Sequence, residues 1–320
     1  MMKIAITARN YSTQNPEAAE MLRAAGLDIA DFTALQMGVG TPEADVISAI
    51  GDADLLIAGV EPISAEVLRA CPRLRFISRR GIGYDAIDIA ACTRAGIRVA
   101  RTTGVVEGAV AEHVMAFLLC WGRDIAAQNA VMHTGVWNRV LMPGIKGRRL
   151  GLFGFGGIGK EIAKRAVPFG MQVFYTCRHP DPRWDEEYHV TYVDRDTLFH
   201  ECDYISLNVP LSSETRGLIG AHDFSLMKPD AVFINISRAP LVNEPALKQA
   251  LEECRIRGAC IDVFDHEPCT DSIFLNCPNV ILTPHTASFT AETFTAMNIT
   301  AAQNVLDFLS GSLKEKMLVN

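Results

Sequence analysis

Short, near-continuous apolar runs recur along the chain, separated by stretches in which apolar positions fall three or four apart. The runs KIAIT, DLLIAGV, LRFIS, IRVA, RLGLFGF, MQVFYT, DYISLNV, DAVFINI, GACIDVF and NVILTP have the pattern of strands buried on both faces, and the stretches between them that of helices. This alternation predicts an α/β chain with parallel sheets. Thr41-Pro42-Glu43 marks a helix start, with Thr41 as cap, proline at the first helical position and an acid in the first turn. Glu107 to Arg123 reads as one long helix containing the apolar run Val114 to Trp121, which is too short to cross a bilayer. A last helix, roughly Ala291 to Leu309, sets Phe294, Met297, Ala301, Val305 and Phe308 on one stripe that must pack against something.

At 320 residues the chain exceeds what a single core comfortably grows to, so two domains are expected. A net charge of -7 gives no footprint for nucleic acid or an anionic membrane, although a locally basic site can still take a small anion. Nine cysteines with no C-x-x-C pair indicate reduced thiols in the cytoplasm, no disulfide framework and no metal site. The start MMKIAITARN reads as a first strand rather than a signal peptide.

Chemistry enters with the stretch LGLFGFGGIGKEIAKRA, which contains Gly154-x-Gly156-x-x-Gly159. The spacing alone is weak, but here an apolar strand precedes it, a helical pattern follows, and a new strand starts at Met171. In that setting Gly154 makes a tight turn, Gly156 lets a pyrophosphate approach the backbone, and Gly159 lets the helix pack against the strand. The helix N-terminus then offers N–H groups and a partial positive charge to phosphate.

Three later strands each end beside a charged or titratable residue: Arg238, Asp262 with Glu267, and His285. Taken singly, Arg238 is equally well a surface ion-pair residue, Glu267 a loop acid and His285 a turn histidine. Together, at the edge of a parallel sheet where ligands bind, they point to a site. A guanidinium grips a carboxylate in bidentate fashion, a histidine hands a proton to the oxygen formed when hydride reaches carbon, and a glutamate orients that histidine. His113 reads as packing on its helix, and His133, His189, His200 and His222 as surface or loop residues.

These residues, with GIGYDAIDIAACTRAGIRV (81 to 99), GFGGIG (154 to 159), INISRAPLVNEPAL (234 to 247), GACIDVFDHEP (258 to 268) and TPH (283 to 285), closely resemble the D-isomer-specific 2-hydroxyacid dehydrogenase family over essentially the whole chain. The resemblance implies two doubly wound parallel-sheet domains: a Rossmann nucleotide domain, 100–286, inserted into a flavodoxin-like substrate domain made of 1–99 and 287–320, with the active site in the cleft between. It also implies a homodimer.

Carried over residue by residue, the resemblance makes Arg238 the substrate-binding arginine, His285 the acid/base and Glu267 its partner. The backbone of Gly81, Ile82 and Gly83 holds the substrate carboxylate. Gly157 and Ile158 touch the pyrophosphate, Val209, Pro210 and Thr215 lie along the adenosine side, and Ile236, Ser237 and Asp262 line the nicotinamide, Asp262 accepting from its carboxamide. His179 and Ala287 belong with the cofactor residues. Ala239-Pro240 after the arginine and HTAS in place of a glycine-rich stretch depart from the family pattern, so the substrate cannot simply be inherited.

The reading that follows is an NAD(P)-dependent reductase of small 2-keto acids, most like glyoxylate/hydroxypyruvate reductases. Phosphoglycerate-type or phosphonate-type dehydrogenases are the near rival, because Arg9, Arg79 and Arg80 could take a second anionic group or be solvated surface cations. A nucleotide-sensing binding protein on the same fold is the rival of another class. The cofactor turns on Cys177, 18 residues after Gly159 (177 less 159), where an NAD enzyme carries a carboxylate for the ribose hydroxyls. Cysteine cannot repel a 2′-phosphate and Arg178 beside it can pair with one, which favours NADP; the alternative is an NAD enzyme in which Arg178 is a solvated loop cation.

Overall fold

The computed structural model describes every residue of the chain except Asn15. Two compact units emerge: Met1–Val106 together with Phe289–Asn320, and Glu107–Ser288.

The first unit is built on five parallel strands, β1 (Lys3–Ile6), β2 (Asp28–Asp31), β3 (Leu55–Ala58), β4 (Phe76–Arg79) and β5 (Arg98–Arg101), in the order β2-β1-β3-β4-β5. Ile4, Ile6, Leu55, Ile57 and Phe76 bury one face of this sheet against Ala301, Ala302 and Val305 of the C-terminal helix Ala291–Ser310. Each fully buried Ile or Leu contributes about 1.5–3 kcal/mol of transfer free energy. The stripe read from the sequence ends where expected, with the Phe308 ring stacked on Phe76 at 4.3 Å.

The second unit carries seven parallel strands, β6 (Arg149–Phe153), β7 (Gln172–Thr176), β8 (Val190–Tyr192), β9 (Tyr204–Leu207), β10 (Val232–Asn235), β11 (Gly258–Ile261) and β12 (Val280–Leu282), ordered β12-β11-β10-β9-β6-β7-β8. Its first element is the helix Glu107–Arg123, which buries Val110, Ala111, Val114 and Leu118 with Ile162, Ala163 and Ala166 of the helix Gly157–Ala166. Strand order reverses between β6 and β9, the switch point at which open α/β sheets bind ligands, and the glycine turn follows β6.

Two strands escape the apolar-run pattern. Both β2 and β8 lie at sheet edges, and their residues, DIAD and VTY, are mostly half-buried or exposed. An edge strand needs no continuous apolar run, because one side of it faces solvent. The helix at Thr41 also starts one residue late. Pro42 is the cap of Glu43–Ile50, and the Thr41 hydroxyl instead accepts from Gly38 N at 2.7 Å. Among the described residues no helix is long and apolar enough to cross a membrane.

Candidate active site

Past β6 the backbone turns at Gly154, whose φ of +103° disfavours any side chain. A Cβ on Gly154 would lie 2.7 Å from the Asn208 carbonyl, and one on Gly159 2.6 Å from the Gly154 carbonyl, so turn and helix close only as glycine. Above Gly156 there is open space, and no side chain caps the helix Gly157–Ala166 that begins there. This arrangement fits a dinucleotide: room for a pyrophosphate over bare backbone, with helix N–H groups pointing at it. Val209 packs beside Gly154, and Thr215 closes the next loop by donating to the Pro210 carbonyl at 2.8 Å.

Cys177 follows β7 directly and is half-buried. Burial pushes its thiol up, partly offset by a hydrogen bond from His179 N and by the charge of Lys160. Arg178 is exposed and sits 3.3 Å from Glu214 Oε2. The nearest acid downstream, Asp181, is held by Arg183 Nε at 2.9 Å, and that hydrogen bonding lowers its carboxyl to about 2. Lys160, one residue beyond the glycine motif, was not singled out from the sequence; the structure holds its ammonium 4.1 Å from the Trp184 ring centroid.

The remaining chemistry gathers past β10, β11 and β12. Asn235, the last residue of β10, donates to the Arg238 carbonyl at 3.0 Å and accepts from Ser237 N at 3.1 Å. Ser237 Oγ donates to the Leu207 carbonyl at 2.8 Å, with Ile236 buried beside it, so the backbone beneath Arg238 is pinned. Arg238 Nη1 donates to the Ser237 carbonyl at 2.7 Å.

His285 stands in the left-handed region at φ +54°, its Nδ1 2.7 Å from Glu267 Oε2. The other glutamate oxygen accepts from Phe264 N at 3.1 Å. Burial raises the Glu267 carboxyl, but the hydrogen bonds from His285 and Phe264 and the charges of His285 and Arg238 outweigh it and leave it below the usual value. An ionised Glu267 accepts the Nδ1 proton, which turns Nε2 toward a reacting group.

Asp262 is fully buried and grips the loop that carries His285: Oδ1 accepts from the Thr283 hydroxyl at 2.6 Å and Thr286 N at 2.8 Å, Oδ2 from Ala287 N at 2.9 Å. Asp262 thereby also scaffolds the loop that carries His285. His113 joins this network, Nε2 lying 3.1 Å from Thr283 Oγ1. Since the Thr283 proton is spent on Asp262, Nε2 is the donor, and burial lowers the His113 pKa, with Asp262 opposing. Sequence reading saw only packing in His113, because Thr283 is 170 positions away.

In the first unit, Gly81 N donates to Thr102 Oγ1 at 2.9 Å. A Cβ on Gly81 would strike the Arg79 guanidinium, which is itself buried. Arg80 donates to Asn298 Oδ1 at 3.2 Å and lies over the Phe294 ring; burial lowers its pKa to about 10, opposed by Glu61. Neither Arg79 nor Arg80 is a solvated surface cation.

The sequence profile of the D-isomer specific 2-hydroxyacid dehydrogenase NAD binding domain matches residues 115–287. The chain is 38% identical over 287 residues to glyoxylate reductase of Thermococcus litoralis, covering 87% of each. It is 37% identical over 279 residues to glyoxylate/hydroxypyruvate reductase B of Klebsiella pneumoniae subsp. pneumoniae, covering 85% of this chain and 86% of that one. Among solved structures it resembles an acyclic imino acid reductase complexed with NADPH and D-Arg, with a TM-score of 0.89 and 27% identity over the full length of both chains. Glycine turn, strand-end residues and relatives agree, and the chain belongs to the D-isomer-specific 2-hydroxyacid dehydrogenase family.

Proposed function

We propose that the protein reduces a small 2-keto acid, of the glyoxylate or hydroxypyruvate kind, to the D-2-hydroxy acid with NADPH. The observation that carries this reading is the 2.7 Å pairing of His285 with an ionised Glu267 beside Arg238. The bound nicotinamide supplies the hydride. His285 Nε2 gives a proton to the carbonyl oxygen, Glu267 stabilises the charge the imidazole carries beforehand, and Arg238 grips the substrate carboxylate and polarises the carbonyl. In the first unit the amides of Ile82 and Gly83 are the proposed carboxylate donors. Asp262, Thr283 and His113 keep the His285 loop in place.

The preference for NADPH rests on the absence of a carboxylate at Cys177, the exposed Arg178, and Lys160 on the adjoining helix. Homodimer formation is proposed through the exposed apolar side chains Ile125, Met132, Val136, Trp137 and Leu141, since the helix Ile125–His133 buries none of its residues. Sedimentation of the Trp137→Asp variant as a dimer of unchanged strength would remove that surface from consideration. Function itself is tested by following NADPH and NADH oxidation over glyoxylate, hydroxypyruvate and phosphonate-bearing keto acids. Turnover of the first two with NADPH is expected; tight nucleotide binding with no turnover of any would replace the reductase by a sensor.

A further inference from the structure

Between β11 and β12 the chain carries Glu267, bonded to His285, and around it three side chains for which the reductase chemistry has no use. His266, Cys269 and Asp271 each offer one donor atom, and the three atoms lie within 4.8 Å of one another. His266 Nε2 is 2.7 Å from Asp271 Oδ1, and Cys269 Sγ donates to that same oxygen at 3.7 Å. The cysteine is half-buried, while the histidine and aspartate are exposed, so an ion from solution can reach them.

We propose that His266, Cys269 and Asp271 bind a zinc-class divalent ion, which throttles turnover by gripping the chain on both sides of Glu267. Imidazole and thiolate donors with one carboxylate suit zinc and exclude magnesium and calcium, which take oxygen ligands. Tetrahedral zinc with bonds of about 2.0–2.3 Å holds its donors roughly 3.3–3.8 Å apart, so the 2.7 Å separation of His266 and Asp271 must open by up to about 1 Å while the 3.7 Å separation of Cys269 and Asp271 already fits. Three protein ligands leave the fourth position to water, as befits an exchangeable ion rather than a resident one. On binding, Cys269 releases its thiol proton to solvent.

Coupling to turnover follows from the order His266-Glu267-Pro268-Cys269. Chelation by both flanking residues closes a ring through the Glu267 backbone, while the Glu267 carboxylate stays committed to His285 and Phe264 N and cannot act as a ligand. Any ångström-scale shift of that ring lengthens the bond that orients His285.

Binding and turnover are tested separately, because the turnover effect rests on the reductase reading and the binding does not. Cobalt(II) titrated into the intact protein serves as the optical probe. The wild type is expected to show a thiolate-to-cobalt charge-transfer band saturating at one ion per chain and displaced by zinc, and Cys269→Ser and His266→Asn to lose it. In the reduction assay, saturating zinc is expected to cut wild-type turnover by about ten-fold or more, reversibly by chelator, as disturbed supporting contacts commonly do. Both variants keep their zinc-free turnover and lose the sensitivity. Absence of the band in the wild type overturns the site, even if no reductase activity is found. Binding without inhibition overturns the coupling, and inhibition undiminished in both variants places the ion elsewhere.

Discussion

At or just past the ends of β1, β3, β4 and β5 stand Thr7, Glu61, Arg79 and Thr102, all less than one-tenth exposed. Glu61 Oε1 accepts from Gly59 N at 2.9 Å and from the Thr7 hydroxyl, and Thr102 accepts from Gly81 N, so these polar groups lock the loops of their own unit. The corresponding residues past β7, β10 and β12 are Cys177, Arg238 and His285, each half-exposed. His285 spends one ring nitrogen on Glu267 and keeps the other. Both sheets are doubly wound, and both place polar residues at the same edge. What marks His285 out from these scaffold groups is the ring nitrogen it keeps toward solvent. Asp262 joins the scaffold groups inside the second unit, since its buried carboxylate grips the loop it holds.

Removing the unspent group should cost most. His285→Ala is expected to lower turnover by roughly 10²–10⁴ while leaving NADPH affinity within a factor of about two, measured by steady-state kinetics and fluorescence titration. Glu267→Gln comes next, with a loss of about 10–100-fold in kcat, KM less affected, because the histidine loses its orienting charge. The Glu267 carboxyl lies below its usual value when folded, so its pairing stabilises the protein above the ordinary carboxylate range. That stabilisation is lost as pH falls through the lowered value, and Glu267→Gln should flatten the acid side of the stability–pH curve from urea unfolding.

The scaffold side of the comparison gives the opposite signature. Glu61→Ala strands the Gly59 amide and leaves the Thr7 hydroxyl only the Ile57 carbonyl at 3.2 Å, with an expected loss of about 1–3 kcal/mol in denaturant unfolding. A large fall in kcat with unchanged stability would instead make Glu61 part of the chemistry. Smallest is Arg178→Ala: the exposed guanidinium should contribute about ten-fold to NADPH affinity and nothing to NADH affinity. An unchanged ratio would return the cofactor preference to NAD.

Sequence alone revealed most of this where the signal was local. A glycine spacing between a strand and a helix, and titratable residues directly after apolar runs, locate the turn at Gly154 and the trio Arg238, Glu267 and His285 without any long-range information. Edge strands β2 and β8 were hidden because half-exposed strands carry no apolar run. His113 and Lys160 were hidden for another reason: what defines them is a partner, Thr283 or Trp184, that only tertiary structure brings near. Asp262 was visible as a position but not as a hub, since two of its partners are the backbone amides of Thr286 and Ala287, which no side-chain pattern announces. The cluster of His266, Cys269 and Asp271 has no familiar ligand spacing and appears only when the loop folds back.

The most direct test follows the hydrogen. With NADPH deuterated at the transferring position and hydroxypyruvate as substrate, the product should be the D-2-hydroxy acid with one deuterium on its C2 carbon, and His285→Ala should form it far more slowly. Product lacking deuterium at C2, or of the L configuration, would contradict hydride transfer to a keto acid held by Arg238 and protonated by His285.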